Sequence, residues 1–404
     1  MKKKLIMAAC AIAWAGSIFP TSGQAGNYGP GVTDTEVKIG QTMPYSGPAS
    51  SFAAIGRAMT AYFEKVNAEG GVNGRKINLI SLDDAYSPPK AVEQTRRLVE
   101  SEEVLAIVGT FGSPTNFATQ KYLNAKKVPG LFLGTGANRV SEPATYPWSM
   151  GWQPNNHAKG VIYAKYLLKE RPGAKVAVLF QNDDFGRDYI KGLRDGLAGK
   201  AATMIVKELS YEVSEPTIDS QILILKATGA DVLVNISTPK FAAQAIKKMA
   251  ETKWDALHLL SDAAGSIAST LVPAGLENSK GVITVAFRKD PNDAAWANDP
   301  GMKEYLAFMK QYMPEANPSE TFHVFGYATA QTFVHVLKNC GADLTRENLM
   351  KQATSIKDLE LPIMLPGIKF NTSATRYTPM SQEQLMRFDG ANWKPIGELI
   401  DAEK

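Results

Sequence analysis

The chain has 404 residues, 44 Lys and Arg against 40 Asp and Glu for a formal charge of +4, 44% hydrophobic residues and two cysteines. That near balance gives no basic field for nucleic acid, and the length suits two domains of ordinary size, each with its own core. Lys2, Lys3 and Lys4 precede an apolar run from Leu5 to Phe19, and the polar stretch after it ends at Gly23-Gln24-Ala25. This is the form of a secretory signal peptide, residues 1–25, with an apolar part shorter than the roughly 20 residues that span a bilayer. A soluble, exported chain with a formal charge near +1 is expected, and its single cysteine, Cys340, allows no internal disulfide. Cys10 has too little apolar sequence before it to suggest a lipid-modified cysteine.

Strand-like and helix-like patterns then alternate with short connections, the signature of βαβ units. Val37–Thr42 reads as a strand. Ile55, Met59, Tyr62, Phe63 and Val66 line one face of a helix that ends in the turn Glu69-Gly70-Gly71-Val72-Asn73-Gly74. A strand over Lys76–Leu82 follows, then a helix opened by Pro88 and Pro89, a strand at Val104–Val108 and another at Val128–Leu133. A second series begins after Trp152. It comprises a helix over Val161–Leu168 and strands at Lys175–Phe180, Met204–Leu209, Asp231–Ile236 and His258–Leu260. The pattern resets at Gly281–Phe287, continues in helices over Met302–Met313 and Thr321–Asn339, and closes in a pair of strands between Leu385 and Ile400. No short-period repeat or low-complexity tract interrupts it.

The stretch VLAIVGTFGSPTN, Val104 to Asn116, runs from a strand through glycines into a helix. Ser113 is a preferred N-cap and Pro114 suits the first helical position, so backbone N–H groups point at open space where α/β sheets hold anionic ligands. An ordinary βα turn with a good cap looks the same from sequence. Catalytic chemistry finds little support. His157, His258, His323 and His335 make no metal spacing, and no nucleophile elbow or phosphate-binding loop occurs. Asp83-Asp84 and Asp183-Asp184 each follow a strand, where capping the next turn is the plainer role than acid/base work or a cation site. No enzyme activity, cofactor or metal is expected.

VKIGQTMPYSGP at Val37–Pro48, NAEGGVNGRKINLISLDDAYSP, VGTFGSPTN, LGTGAN and VLFQNDDFGRDY occur in that order. Through these segments the chain resembles type I periplasmic binding proteins of ABC transporters, in the Leu/Ile/Val-binding, hydrophobic amino acid uptake group. The resemblance implies two doubly wound α/β lobes joined by three crossovers. The N-terminal lobe would comprise 26–152 plus 284–365, and the C-terminal lobe 153–283 plus 366–404. It also implies a monomer that closes over a small ligand and delivers it to a membrane permease. The family's two carboxylate-holding loops match Ser113 and Thr135, Gly136 and Ala137. Its pocket walls match Phe52, Phe111, Phe185 and Phe322, and Thr238 stands where the Leu/Ile/Val binder has a tyrosine. Asp262 matches the acidic residue that receives the ligand's ammonium group, with Asp replacing the longer Glu. A branched-chain or other hydrophobic amino acid is thereby implied, although four phenylalanines and the lost tyrosine point toward an aromatic carboxylate. An exported enzyme or a sensory ligand-binding protein are the rival classes; neither a catalytic constellation nor an effector domain is visible.

Overall fold

The structure, a computed structural model, describes residues 26–401. The expected signal peptide, 1–25, lies outside the described residues, and no helix among them is long and apolar enough to cross a membrane.

One lobe is built on a parallel sheet of β1 (Glu36–Met43), β2 (Lys76–Asp83), β3 (Ile107–Val108), β4 (Gly130–Leu133) and β5 (Ser149–Gly151), in the order β2-β1-β3-β4-β5. β1 is buried continuously from Ile39 to Met43, as a strand covered on both faces must be. The expected strand over Val104–Val108 is buried throughout but keeps ladder geometry only at Ile107 and Val108. Helices α1 (Ala53–Ala68), α2 (Pro88–Arg96) and α3 (Ser113–Ala125) connect these strands. Asn27–Tyr28 adds a short parallel ladder with Asp343–Leu344, which hydrophobic periodicity did not show.

The other lobe starts with α4 (Asn156–Glu170), followed by β6 (Val176–Gln181), α5 (Asp184–Leu197), β7 (Ile205–Tyr211), α6 (Asp219–Ala227), β8 (Val232–Ile236), α7 (Pro239–Glu251), β9 (Leu257–Leu260) and β10 (Ile283–Ala286). β11 (Gln382–Phe388) and β12 (Trp393–Asp401) complete its sheet, in the order β12-β11-β10-β9-β8-β6-β7, with the last two strands antiparallel. Alternation divides the strands between two cores. Val176, Val178, Val232 and Val234 face α4 and α5, whereas Ala177, Leu179 and Leu233 face Phe241 and Ala245 of α7. α4 and α5 approach so closely that a Cβ on Gly192 would stand 1.9 Å from the His157 carbonyl oxygen, and one on Gly160 2.2 Å from that of Tyr189.

The chain crosses between lobes three times. Trp152 is fully buried in the first lobe and donates to Thr332 Oγ1 at 3.0 Å; four residues on, Asn156 opens the second lobe. Val285 belongs to the second core and Phe287 to the first, so the return lies at β10. α8 (Pro300–Tyr312), α9 (Thr321–Asn339) and α10 (Arg346–Ala353) then cover the first sheet. The expected last boundary at 365/366 falls inside the first lobe's core. Ile368, Phe370, Tyr377 and Met380 pack with Val37 and Phe333, and the chain leaves only at β11. These residues form no regular element, so periodicity carried no sign of which lobe they join.

Candidate ligand cleft

Between the lobes, at the carboxyl ends of the strands, Phe52, Tyr86, Phe111, Ser113, Thr135, Gln153, Phe185 and Thr238 enclose a cavity of about 20 Å³, together with Gly112, Gly134 and Ala263. The cleft is therefore closed in this structure. A larger cavity of about 590 Å³ lies at the other end of the second sheet, beside Asp231, Leu257 and Val282 where strands begin. α/β sheets place ligands at the opposite ends of their strands.

The first lobe supplies the polar floor. Thr110 O accepts from Gly134 N at 2.7 Å and Gly134 O from Gly112 N at 3.2 Å, so the loops after β3 and β4 are laced together. A Cβ on Gly134 would come within 2.7 Å of the Phe111 ring, which only glycine allows to lie there. The sequence placed Ser113 as the N-cap of α3, but the cap is Gly112, at φ 104°, and Ser113 is the first helical residue. Its hydroxyl is thereby released from capping and lies 2.7 Å from Thr135 Oγ1. No side chain caps the start of α3, so its N-terminal dipole stands beside this hydroxyl pair.

Of the other residues matched to the carboxylate loops, Ala137 turns away. Its N–H donates to Thr135 Oγ1 at 3.1 Å and its side chain packs with Phe117, Leu133 and Val140. Gly136 meets the first crossover rather than the cavity. Its carbonyl accepts from Asn156 N at 2.7 Å, and a Cβ there would lie 2.4 Å from Pro154 O.

The walls are aromatic. Phe52 and Phe111 lie 4.1 Å apart at their ring centroids, and Phe185 faces them from the other lobe. Phe322 packs tilted against Phe52, 4.7 Å between ring centroids, but is absent from the cavity lining, so it supports the wall without lining it. Thr238 donates its N–H to Tyr211 OH at 3.2 Å, leaving a buried Oγ1 with no hydrogen-bond partner.

Asp262 is the largest departure from expectation. Lys159 Nζ lies 2.6 Å from its Oδ2, and Tyr189 OH donates to its Oδ1 at 3.0 Å. The Lys159 side chain is fully buried and that of Asp262 is 7% exposed. The carboxylate is held within the second lobe and does not line the cavity, although its neighbour Ala263 does. Glu383 Oε1 is 3.9 Å from the same ammonium. Burial, only partly offset by Lys159, pushes the Glu383 carboxyl well above the usual carboxylate range. Sequence reasoning missed Lys159, yet a signal existed. With Ile162, Tyr163 and Tyr166 it occupies i, i+3, i+4 and i+7 of one buried helix face.

The paired aspartates serve turns. Asp183 caps α5 through Phe185 N and Gly186 N, and burial raises its pKa to about 6. Asp83 accepts from Ser46 and Lys90, while Asp84 accepts from Tyr86 N and is raised to about 6 by burial. This fold of the chain puts Ala85 and Tyr86 at φ 51° and 60° and sends the Tyr86 ring into the cleft, a placement that the composition of the turn did not reveal. Among the described residues no group of three or more His, Cys, Asp or Glu could hold a metal.

A family model described as a periplasmic binding protein matches residues 36–391. The chain belongs to that family. Within it, Leu/Ile/Val-binding protein homolog 7 of Brucella suis is 24% identical over 386 residues, covering 92% of each chain. The structure of a branched-chain amino acid ABC transporter protein from Thermus thermophilus, with bound valine, is similar at a TM-score of 0.82 and 16% identity, over 91% of this chain and 97% of that one. A fatty acid ABC transporter substrate-binding protein from Thermomonospora curvata is similar at 0.78 and 20% identity, over 94% and 96%. The type I fold of this family and its two α/β lobes are thus common to proteins named for amine-bearing and amine-free acids.

Proposed function

We propose that this chain is an exported, non-enzymatic solute receptor that closes its lobes around a small carboxylate-bearing ligand and presents it to an ABC permease. The observation that carries the reading is the Ser113–Thr135 hydroxyl pair, 2.7 Å apart at the uncapped start of α3, facing the rings of Phe52, Phe111 and Phe185. Hydroxyls and a helix start are suited to an acid group, and the rings to an apolar one. Hydrophobic amino acids and aromatic or aliphatic acids share that chemistry, in keeping with the names of the relatives. Entry needs the lobes to part, since closure leaves only about 20 Å³.

Titration with hydrophobic acids and amino acids, followed by thermal unfolding and small-angle scattering, tests this. A bound acid raises the midpoint and lowers the radius of gyration, because only the folded, closed form binds it. Its methyl ester or amide shifts neither. An ester that shifts both as much as the acid removes the carboxylate reading.

A further inference from the structure

Resting on the receptor reading above, we infer that Lys159 makes this cleft selective for acids that carry no α-amine. A buried α-ammonium needs a charged partner or several strong acceptors, since neutral groups do not replace the water it loses. The cavity lining contains no carboxylate; its polar groups are the hydroxyls of Tyr86, Ser113, Thr135 and Thr238, the Gln153 amide and main chain.

On the second lobe's side, two acids lie just behind Phe185, and both are engaged. Asp262 is reached through Tyr189, whose ring stands edge-on to Phe185 at 5.8 Å, and its two oxygens are taken by Lys159 Nζ and Tyr189 OH. Asp183 takes Gln181 Nε2 on one oxygen at 2.6 Å, and Phe185 N and Gly186 N on the other at 3.0 and 3.4 Å. A ligand ammonium drawn toward Asp262 would stand beside the Lys159 ammonium where little water screens the two, and like charges brought together in such a place repel strongly. A ligand with hydrogen or carbon in place of the amine meets phenylalanine rings and uncharged polar groups. Lys159 is thus a specificity-determining residue that touches no ligand: it occupies Asp262, the acidic group that the family resemblance matches to a ligand amine.

Matched pairs isolate this effect: 3-phenylpropionate against L-phenylalanine, and 4-methylpentanoate against L-leucine, each measured by titration calorimetry. Within a pair the acid and the apolar group are the same and only the ammonium differs. The amine-free member is expected to bind at least about tenfold more tightly, about 1.4 kcal/mol. An amino acid that binds as well as its partner overturns the inference and leaves the receptor standing. Binding of none of the four overturns both. Lys159→Met frees Asp262 and is expected to move the ratio about tenfold or more toward the amino acid; an unmoved ratio in the folded variant refutes the role of Lys159. Should that variant fail to fold, Lys159→Met combined with Asp262→Asn removes both charges. It is expected to keep the wild-type ratio within about threefold, and a reversal there counts against the inference.

Discussion

Asp188 on α5 accepts the main-chain N–H of Asn138 at 2.9 Å, Oδ2 to N, and so ties the second lobe to the loop that follows β4 in the first. Burial raises the pKa of this carboxyl, opposed by the Asn138 bond, so the contact costs desolvation as well as gaining a charge-assisted bond. It stands outside the cavity lining. Asp188→Ala is expected to enlarge the radius of gyration of the ligand-free protein and weaken ligand binding about fivefold, roughly 1 kcal/mol, through the closed population. Scattering and calorimetry check it; an unchanged radius together with unchanged affinity refutes a role in closure.

The Ser113 hydroxyl lies 2.7 Å from Thr135 Oγ1 and caps no helix, and the proposed function gives it the acid group of a ligand. Ser113→Ala should therefore leave the unfolding midpoint nearly unchanged while weakening carboxylate binding about tenfold or more, the effect of one bond to a charged group. Calorimetry with the tightest acid measures it. Unaltered affinity would place the acid group elsewhere.

Gly192 has no space for a side chain, since the His157 carbonyl carbon and oxygen lie 2.7 and 1.9 Å from where its Cβ would be. Backbone cannot swing aside as a side-chain tip can. Gly192→Ala should force α4 from α5 and cost about 3 kcal/mol, at the upper end for overpacking. It should also disturb the pairing of Lys159 on α4 with Asp262. Urea unfolding gives the loss, and a midpoint equal to wild type would contradict the close approach.

His258 on β9 is buried beside Asn235, and burial lowers its pKa to about 4. In the unfolded chain the imidazole titrates near 6.5, so between about pH 6.5 and 4 unfolding takes up a proton that the folded protein refuses. The stabilisation tied to the neutral ring is complete above about pH 6.5 and falls away by about 3 kcal/mol as the pH drops to 4. Asp84 and Asp183, raised to about 6, act in the opposite sense: their contribution is complete below their ordinary value and is lost as the pH rises through 6. The histidine is isolated by difference. Stability of wild type minus that of His258→Gln should decline by about 3 kcal/mol from pH 7 to 4, and a constant difference would contradict burial of a neutral ring.

Much of the architecture was legible in the chain because sheet and helix patterns are local. The helix expected at Thr321–Asn339 has those bounds in the structure, and the strand expected at Val37–Thr42 extends by one residue at each end. Hydrophobic periodicity was weakest where the chain is irregular, as between Ile368 and Met380, whose burial depends on long-range neighbours. Within the cleft, Phe52, Phe111, Ser113, Thr135, Phe185 and Thr238 line one cavity. Tyr86 and Gln153 joined them without a motif of their own.

The order of strands and helices, the glycine-lined turns and the aromatic character of the cleft follow from residue type and spacing in the chain itself. The state of Asp262 does not, because a carboxylate's partner is set by which distant side chain is buried within reach. Lys159 lies 103 residues away and comes to it only when α4 packs against the second sheet. Folding thus converts a residue that promised a contact for an amine into half of an internal ion pair, because a buried charge is stable only beside its counter-charge.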